Sequence, residues 1–214
     1  MARLRDFVHS FTQLIEQARD DERRIFADGK NLLAELVCHD DWLPEDFAQP
    51  NPERYQQYLL YCDPMERFSV VSFVWAPGQT TPIHDHTVWG MVGVMRGAEV
   101  CEEFDLEPEG GLRPRGAHQL PAGGIDLVSP RVGDIHRVSN AFADRISISI
   151  HVYGANIGAV ERHVYDLESG LMKTFVSGYS SGRHGTISPV PPASTMAERE
   201  RTSSDCRSVV PGRT

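Results

Sequence analysis

Two patterns of hydrophobic positions divide the chain. Over residues 4–37 apolar side chains recur at intervals of three and four, which is typical of amphipathic helices. We expect Gly29 to break this region into two helices. The spacing of tyrosine and leucine from Pro52 to about Tyr61 predicts a third helix. All three helices would pack on the outside of the structure that follows.

From Arg67 onward the pattern changes to short β-rich runs that are separated by Gly and Pro turns, which predicts a β-sandwich or barrel. The most regular run ends at Tyr153 and alternates isoleucine and valine with Ser149, His151 and Tyr153. The polar face would meet solvent in an ordinary antiparallel sheet. In a barrel that encloses a site, the same face would line the interior. The segment from Leu112 to Leu120 is less regular.

The chain is long enough for one domain with an appended segment, at 214 residues. We predict N-terminal helices over 1–66 and a barrel over 67–182. Residues 183–214 are rich in Ser, Pro, Thr and Arg and poor in apolar side chains, so we predict a disordered tail that contributes no ligand.

Charge and cysteine usage narrow the class of partner. A net charge of −9 argues against a nucleic-acid or anionic-membrane partner, since both need a basic surface. No run of 18 apolar residues occurs, so no membrane span is predicted, and the N-terminus does not have the pattern of a signal peptide. The four cysteines lack CxxC spacing and indicate reduced thiols, hence a cytoplasmic location.

Two histidines separated by one residue, His84 and His86, lie among β-forming residues. On a strand they would project from the same face, with Asp85 on the other. Two such imidazoles are half of a metal site, and imidazole suits Zn, Cu, Fe and Ni. Two surface histidines on an edge strand are the alternative.

A second stretch, from Gly124 to Asn140, supports the metal site. The first stretch reads Gly, five residues, His84-x-His86, three residues, Gly90, six residues, Gly. The second reads Gly, five residues, Pro, two residues, Gly, two residues, His136, three residues, Asn. These strings resemble the paired motifs of the cupin superfamily, with one extra residue after the proline. The resemblance implies a mainly β, jelly-roll-like cupin barrel with N-terminal α-helices, in which His84, His86 and His136 converge on one metal ion.

Many cupins have a glutamate ligand where this chain has Gly90. A site of three neutral histidines is similar to that of the thiol dioxygenases, the family of cysteine dioxygenase and the bacterial 3-mercaptopropionate dioxygenases. The resemblance implies one Fe(2+) per chain, with a small thiol and O2 as substrates, although three histidines would also take Zn, Ni or Cu. It also implies that Ser149, His151 and Tyr153 form a hydrogen-bonded relay to the metal. A cysteine–tyrosine crosslink is not expected, since the corresponding residue is Gly90.

Two further residues are expected near the acid end of the substrate. Arg162 is in a setting similar to that of an arginine of the 3-mercaptopropionate dioxygenases, and a surface salt bridge to Glu161 or Asp166 is the alternative. Gln57 is similarly placed to a glutamine of those enzymes. Gln56 competes with it, and either could face solvent.

The expected function is oxidation of a small thiol carboxylic acid to its sulfinate, with 3-mercaptopropionate favoured over cysteine by Gln57. The rival function is a cupin that is not an oxygenase: a binding or regulatory module, or an isomerase with another metal. The sequence leaves the oligomeric state open.

Overall fold

The computed structural model describes residues 2–108 and 110–180. The predicted disordered tail, 183–214, lies outside the described residues. No helix in the described ranges is both long and apolar enough to cross a membrane.

Two helices begin the chain, α1 (Ala2–Ala18) and α2 (Glu22–Val37). The break between them is at Arg19 to Asp21 and not at Gly29, so that prediction was wrong. Arg19 has a positive φ of 50°, and the side chain of Asp21 caps α2 by accepting a hydrogen bond from the backbone N–H of Arg24. Gly29 lies inside α2 because the helix packs closely there: a Cβ atom would be 2.9 Å from Cε of Met91.

A short 3-10 helix over Glu45–Phe47 precedes the strands. In the described part of the chain these are β1 (Gln56–Cys62), β2 (Ser69–Trp75), β3 (Ile83–His84), β4 (Gly90–Arg96), β5 (Ala98–Leu106), β6 (Leu112–Pro121), β7 (Ile125–Val128), β8 (Ile135–Asn140), β9 (Ser147–Tyr153), β10 (Arg162–Tyr165) and β11 (Met172–Phe175).

The strands form two antiparallel sheets. One has the order β1-β2-β9-β4-β7 and the other β11-β10-β3-β8-β5-β6. The chain passes repeatedly from one sheet to the other, which is a jelly-roll arrangement. The predicted mainly β, jelly-roll-like barrel with N-terminal α-helices is therefore confirmed.

The predicted helix from Pro52 to Tyr61 is wrong, because Gln56–Cys62 is a strand that pairs with β2. The register shifts between Leu59 and Tyr61. Such a bulge interrupts the two-residue alternation by which a strand is recognised in a sequence. The irregular segment after Leu112 is a ten-residue strand, β6, that pairs with β5 along its whole length. Its side chains are mostly exposed on both faces, so the sequence shows no alternation.

Two clusters of buried side chains lie on opposite faces of the five-stranded sheet. Apolar residues of α1 and α2 pack against the outward side chains of β4 and β9, including Met91, Ile148 and Ile150. Residues of both sheets, among them Trp75 and Val138, form the second cluster inside the barrel. The helices therefore cover the outside of this sheet and leave its inner face to the barrel interior.

Candidate metal centre

Strand pairing brings the three histidines of the two motifs together. His84 ends β3 and lies directly opposite His136 on β8. His86 follows β3 by two residues and is not itself on a strand. Asp85 does face away from the other two, since its carboxylate accepts hydrogen bonds from the His163 ring at 2.8 Å and from the Tyr165 hydroxyl at 2.8 Å.

The imidazole rings of His84, His86 and His136 form a nearly equilateral triangle. Their centroids are 4.9 Å apart for His84 and His86 and 4.8 Å apart for each of the other two pairs. One ring nitrogen from each residue lies within 4.8 Å of the other two. Three nitrogens at this separation can bind one ion on one side and leave its other positions open.

Each ring is oriented by a contact at Nδ1. His84 Nδ1 is 3.0 Å from the carbonyl oxygen of Pro82, and His86 Nδ1 is 2.8 Å from a carboxylate oxygen of Asp134. His136 Nδ1 is 3.4 Å from the thiol sulfur of Cys101. No described residue hydrogen-bonds to any of the three Nε2 atoms. An outer partner on Nδ1 fixes the tautomer that leaves Nε2 free for a metal.

The environment keeps the rings of His84 and His136 neutral. Burial lowers the pKa of His84 well below its usual value, and the neighbouring His86 lowers it further. Burial and the adjacent histidines have the same effect on the pKa of His136. A neutral imidazole is the form that binds metal. The donor set therefore fits a divalent transition-metal ion, although it does not select one metal among those that accept imidazole.

Ser149, His151 and Tyr153 lie on the inner face of β9 and are buried. Ser149 Oγ is 2.8 Å from His151 Nε2, and His151 Nδ1 is 2.7 Å from the Tyr153 hydroxyl. The Tyr153 ring stacks on His86 at a centroid distance of 5.4 Å. The side chains thus form a continuous hydrogen-bonded chain that ends beside the histidine cluster.

Gly90 provides the room for this tyrosine. A Cβ atom at Gly90 would be 2.8 Å from Cδ1 of Tyr153 and 3.0 Å from Cγ2 of Val128. Both distances are shorter than ordinary carbon–carbon contacts, so the glycine permits the ring to lie against the strand. The position where many cupins have a carboxylate ligand is used here for packing.

Arg162 is buried, with 3% of its surface exposed, and it forms no salt bridge to any described residue, including Glu161 and Asp166. Its Nη2 donates to the hydroxyl of Ser177 at 2.6 Å, and its guanidinium lies 4.7 Å from the ring centre of Phe175. The buried Nε of Arg162 has no hydrogen-bond partner among the described residues. Its positive charge contributes to the lowered pKa of His84, which places it near the histidine cluster.

Gln57 is also buried and lies close to Arg162. Its Nε2 donates to Ser177 Oγ at 3.1 Å and to the carbonyl oxygen of Gly178 at 3.0 Å. The competing Gln56 is buried as well, but its amide donates to the carbonyl oxygens of Arg54 and Tyr55. Ser177 therefore joins Gln57 to Arg162, and Gln56 is outside this group of contacts.

The sequence analysis missed several of these partners. Asp134 precedes His136 by two residues, and a carboxylate next to a proposed ligand was a usable signal. Ser177 carried no signal, because it is far in sequence from both Gln57 and Arg162, whose side chains it contacts. Cys101 was seen only as a reduced thiol.

The two sheets around the histidine cluster form a jelly-roll barrel. The chain matches no protein-family model. Similar folds occur in an uncharacterized protein with a double-stranded β-helix domain from Klebsiella pneumoniae (17% identity, 55% of this chain and 88% of that chain, TM-score 0.43) and in a cupin superfamily protein from Desulfitobacterium hafniense (13%, 55% and 94%, 0.41). The DMSP lyase of Ruegeria pomeroyi is similar over 61% of this chain and 59% of that chain, at 15% identity and a TM-score of 0.41.

Proposed function

We propose that this protein is a non-haem Fe(II) dioxygenase that converts a small thiol carboxylic acid to its sulfinate, with 3-mercaptopropionate as the favoured substrate. The balanced reaction is R–S⁻ + O2 → R–SO2⁻: two S–O bonds form, the O–O bond breaks, sulfur loses four electrons and O2 gains them. A cytoplasmic location, expected from the reduced cysteines, is part of the same proposal. Cys38, Cys62 and Cys101 are free thiols.

The observation that carries the proposal is a cluster of three histidines that could bind one ion without a carboxylate ligand. His84, His86 and His136 add no negative charge, so a divalent ion would keep its charge and favour an anionic ligand such as a thiolate. The chemistry that Fe(II) supplies when bound is the activation of O2 beside a coordinated, deprotonated thiol. The protein's own residues would position the substrate and exclude water.

Arg162 supports a substrate that carries a carboxylate. An unpaired buried cation is unfavourable, and the free Nε–H of Arg162 adds an unsatisfied donor. A carboxylate would satisfy both by accepting two parallel, charge-assisted hydrogen bonds. Gln57 already uses its amide N–H groups on Ser177 and Gly178. We therefore expect Gln57 to act through Ser177, which holds the guanidinium in place.

Tyr153 would orient the reactants. Its hydroxyl is held by His151 and its ring by His86, so it has few conformations to lose when substrate binds. Burial raises the pKa of Tyr153 far above neutrality, so the phenol keeps its proton. It can then offer a hydrogen bond to the substrate carboxylate or to O2.

O2 consumption by the Fe(II)-loaded protein tests the proposal with 3-mercaptopropionate, cysteine and cysteamine, a thiol without a carboxylate. We expect consumption with the first two, 3-mercaptopropionate being favoured, and little with cysteamine. Arg162→Met should remove most of the activity toward the acids. Arg137→Met is the matched control, since Arg137 lies on β8 of the same sheet and pairs with Glu102 at 2.7 Å. Iron-loaded protein that consumes no O2 with any thiol would favour the binding-module alternative.

A further inference from the structure

A buried carboxyl group lies inside the barrel without a role in the proposed site. Glu99, on β5, is 1% exposed. Its Oε1 is 3.5 Å from the hydroxyl of Ser147, and its Oε2 has no hydrogen-bond partner among the described residues. No described arginine or lysine forms a salt bridge with it. Burying a carboxyl oxygen without a hydrogen-bond partner costs free energy, so such a group calls for an explanation in structure or function.

The groups around Glu99 connect it to β9. The hydroxyls of Ser149 and Ser147 and the indole N–H of Trp75 all favour its ionised form, although burial outweighs them and raises the pKa of Glu99 to about 7. Trp75 Nε1 also donates to Ser149 Oγ at 3.4 Å. Glu99 is therefore next to Ser149, the first member of the chain that ends at Tyr153.

The hydrogen bonds of that chain can run in either direction. Burial lowers the pKa of His151 well below its usual value, so its ring is neutral and carries one N–H. In one arrangement Ser149 donates to His151 Nε2, Nδ1–H donates to the Tyr153 oxygen, and the Tyr153 O–H is free to donate into the cavity. In the other, Nε2–H donates to Ser149, Nδ1 accepts from Tyr153, and the phenol offers the cavity only an oxygen lone pair.

The hydrogen bond that Ser149 can form with Glu99 differs between these arrangements, because the Ser149 hydroxyl has only one hydrogen to donate. When the Ser149 hydroxyl donates to His151, its oxygen can accept from a protonated Glu99. When it accepts from His151, it can donate to an ionised Glu99. Trp75 remains a donor to Ser149 in both cases. An ionised Glu99 fits only the second arrangement, because a carboxylate can accept from Ser149 but cannot donate to it, whereas a protonated Glu99 can donate to Ser149 and so permits the first arrangement.

We infer that Glu99 is a positioning residue that sets the direction of the hydrogen bonds through Ser149 and His151, so that Tyr153 donates into the cavity only while Glu99 carries its proton. The effect on thiol oxidation rests on the proposed function, but the coupling between Glu99 and His151 does not. A protonated Glu99 can donate to Ser149, which favours the arrangement in which Tyr153 is a donor to substrate or O2.

Other charged or titratable groups near Glu99 come from neighbouring strands. Asp126 on β7 raises its pKa further, and that carboxylate is itself 2.6 Å from the ring of His118. Cys101 on the same strand and Tyr153 on β9 each have a pKa that the charge of Glu99 helps to raise. Burial and these carboxylates keep Cys101 and Tyr153 protonated near pH 7, so among these two groups and Glu99 it is Glu99 that is expected to change charge there.

The test is nitrogen-15 NMR of the His151 ring in the full-length chain, with and without one equivalent of diamagnetic zinc. The two ring nitrogens report directly which of them carries the hydrogen. Between about pH 5.5 and 8.5, we expect the hydrogen to move from Nδ1 to Nε2, so that the tautomer ratio inverts with a midpoint near the Glu99 pKa of about 7. A carbon-13 titration of the Glu99 carboxyl in the same sample should give the same midpoint.

Two variants make the test specific. Glu99→Gln keeps the shape and a donor but does not titrate, so the His151 tautomer should not change with pH. Ser149→Ala should leave Glu99 titrating while His151 no longer follows. An unchanging tautomer in the wild-type chain, different midpoints for the two groups, or a transition that persists in Glu99→Gln would overturn the inference. In the active enzyme, kcat should fall as the pH rises through the Glu99 pKa, and this fall should be absent in Glu99→Gln. Coupling by NMR without any O2 consumption would contradict the proposed function alone.

Discussion

Asp134 is expected to control metal affinity without touching the metal. Its Oδ1 is 2.8 Å from His86 Nδ1 and accepts the backbone N–H of His86 at 3.1 Å, while its Oδ2 accepts the backbone N–H of Thr87 at 2.9 Å. We predict that Asp134→Asn weakens metal binding about 10–100-fold, or about 1.4–2.8 kcal/mol, as is typical for loss of a carboxylate behind a histidine ligand. The substitution removes the negative charge that makes His86 a better ligand, and it leaves one acceptor oxygen where there were two.

The backbone at Thr87 adds a cost to stability. Thr87 has a positive φ of 59°, which is unfavourable for a β-branched residue, and Asp134 is one of the contacts that hold it there. In Asp134→Asn one N–H of this turn loses its acceptor. We expect the metal-free variant to lose about 1–3 kcal/mol of free energy of unfolding.

A competition titration against a chromophoric chelator, with Fe(II) and with zinc, measures the affinity, and urea unfolding measures the stability. Asp40→Asn is the matched control, because Asp40 pairs with Arg96 at 2.7 Å on the surface, outside the histidine cluster. Wild-type affinity in Asp134→Asn, or an equal loss in Asp40→Asn, would refute the reasoning.

Three further predictions concern other parts of the site. Arg162→Met should raise the KM for thiol acids at least about tenfold in steady-state kinetics, because two charge-assisted hydrogen bonds are lost. The same variant should raise the free energy of unfolding of the ligand-free protein in urea, because an unpaired buried charge is removed. A destabilised Arg162→Met variant would contradict the stability prediction. Gly90→Ala places a Cβ 2.8 Å from the Tyr153 ring, so thiol oxidation should fall about 100-fold while iron content by elemental analysis stays at the wild-type level. The pKa values of His84 and His136 are lowered on folding, so below about pH 6.5 the unfolded chain binds more protons than the folded chain. The metal-free protein should therefore lose up to about 1.4 kcal/mol of stability per pH unit for each histidine as the pH falls. Urea midpoints that do not change between about pH 7 and 5.5 would be inconsistent with this linkage.

The parts of the site that lie on regular strands were predictable from the sequence. Alternation on β9 puts Ser149, His151 and Tyr153 on one face, and the structure shows that this face lines the barrel. The convergence of the three histidines was implied by the resemblance to the paired cupin motifs, and in the structure His84 lies opposite His136 on paired strands. The roles assigned to these residues stay proposals.

Other features depended on contacts between distant parts of the chain. The strand at Gln56–Cys62 was taken for a helix because its bulge disrupts the alternation. Gly29 was predicted to break a helix. In the structure a glycine is needed there because α2 packs closely against Met91, which is remote in sequence. The pairing of Arg162 and Gln57 through Ser177 also joins residues that only the fold brings together. Local patterns carry no information about such contacts.

The most direct test of the central claim is turnover of 3-mercaptopropionate by the Fe(II)-loaded protein under oxygen-18 gas, with the mass of the product determined by mass spectrometry. The account predicts a sulfinate in which both new oxygen atoms carry the heavy isotope, and no such product from His136→Ala. A sulfinate with oxygen from water, a disulfide as the only product, or no oxidation by protein that holds one iron per chain would contradict it.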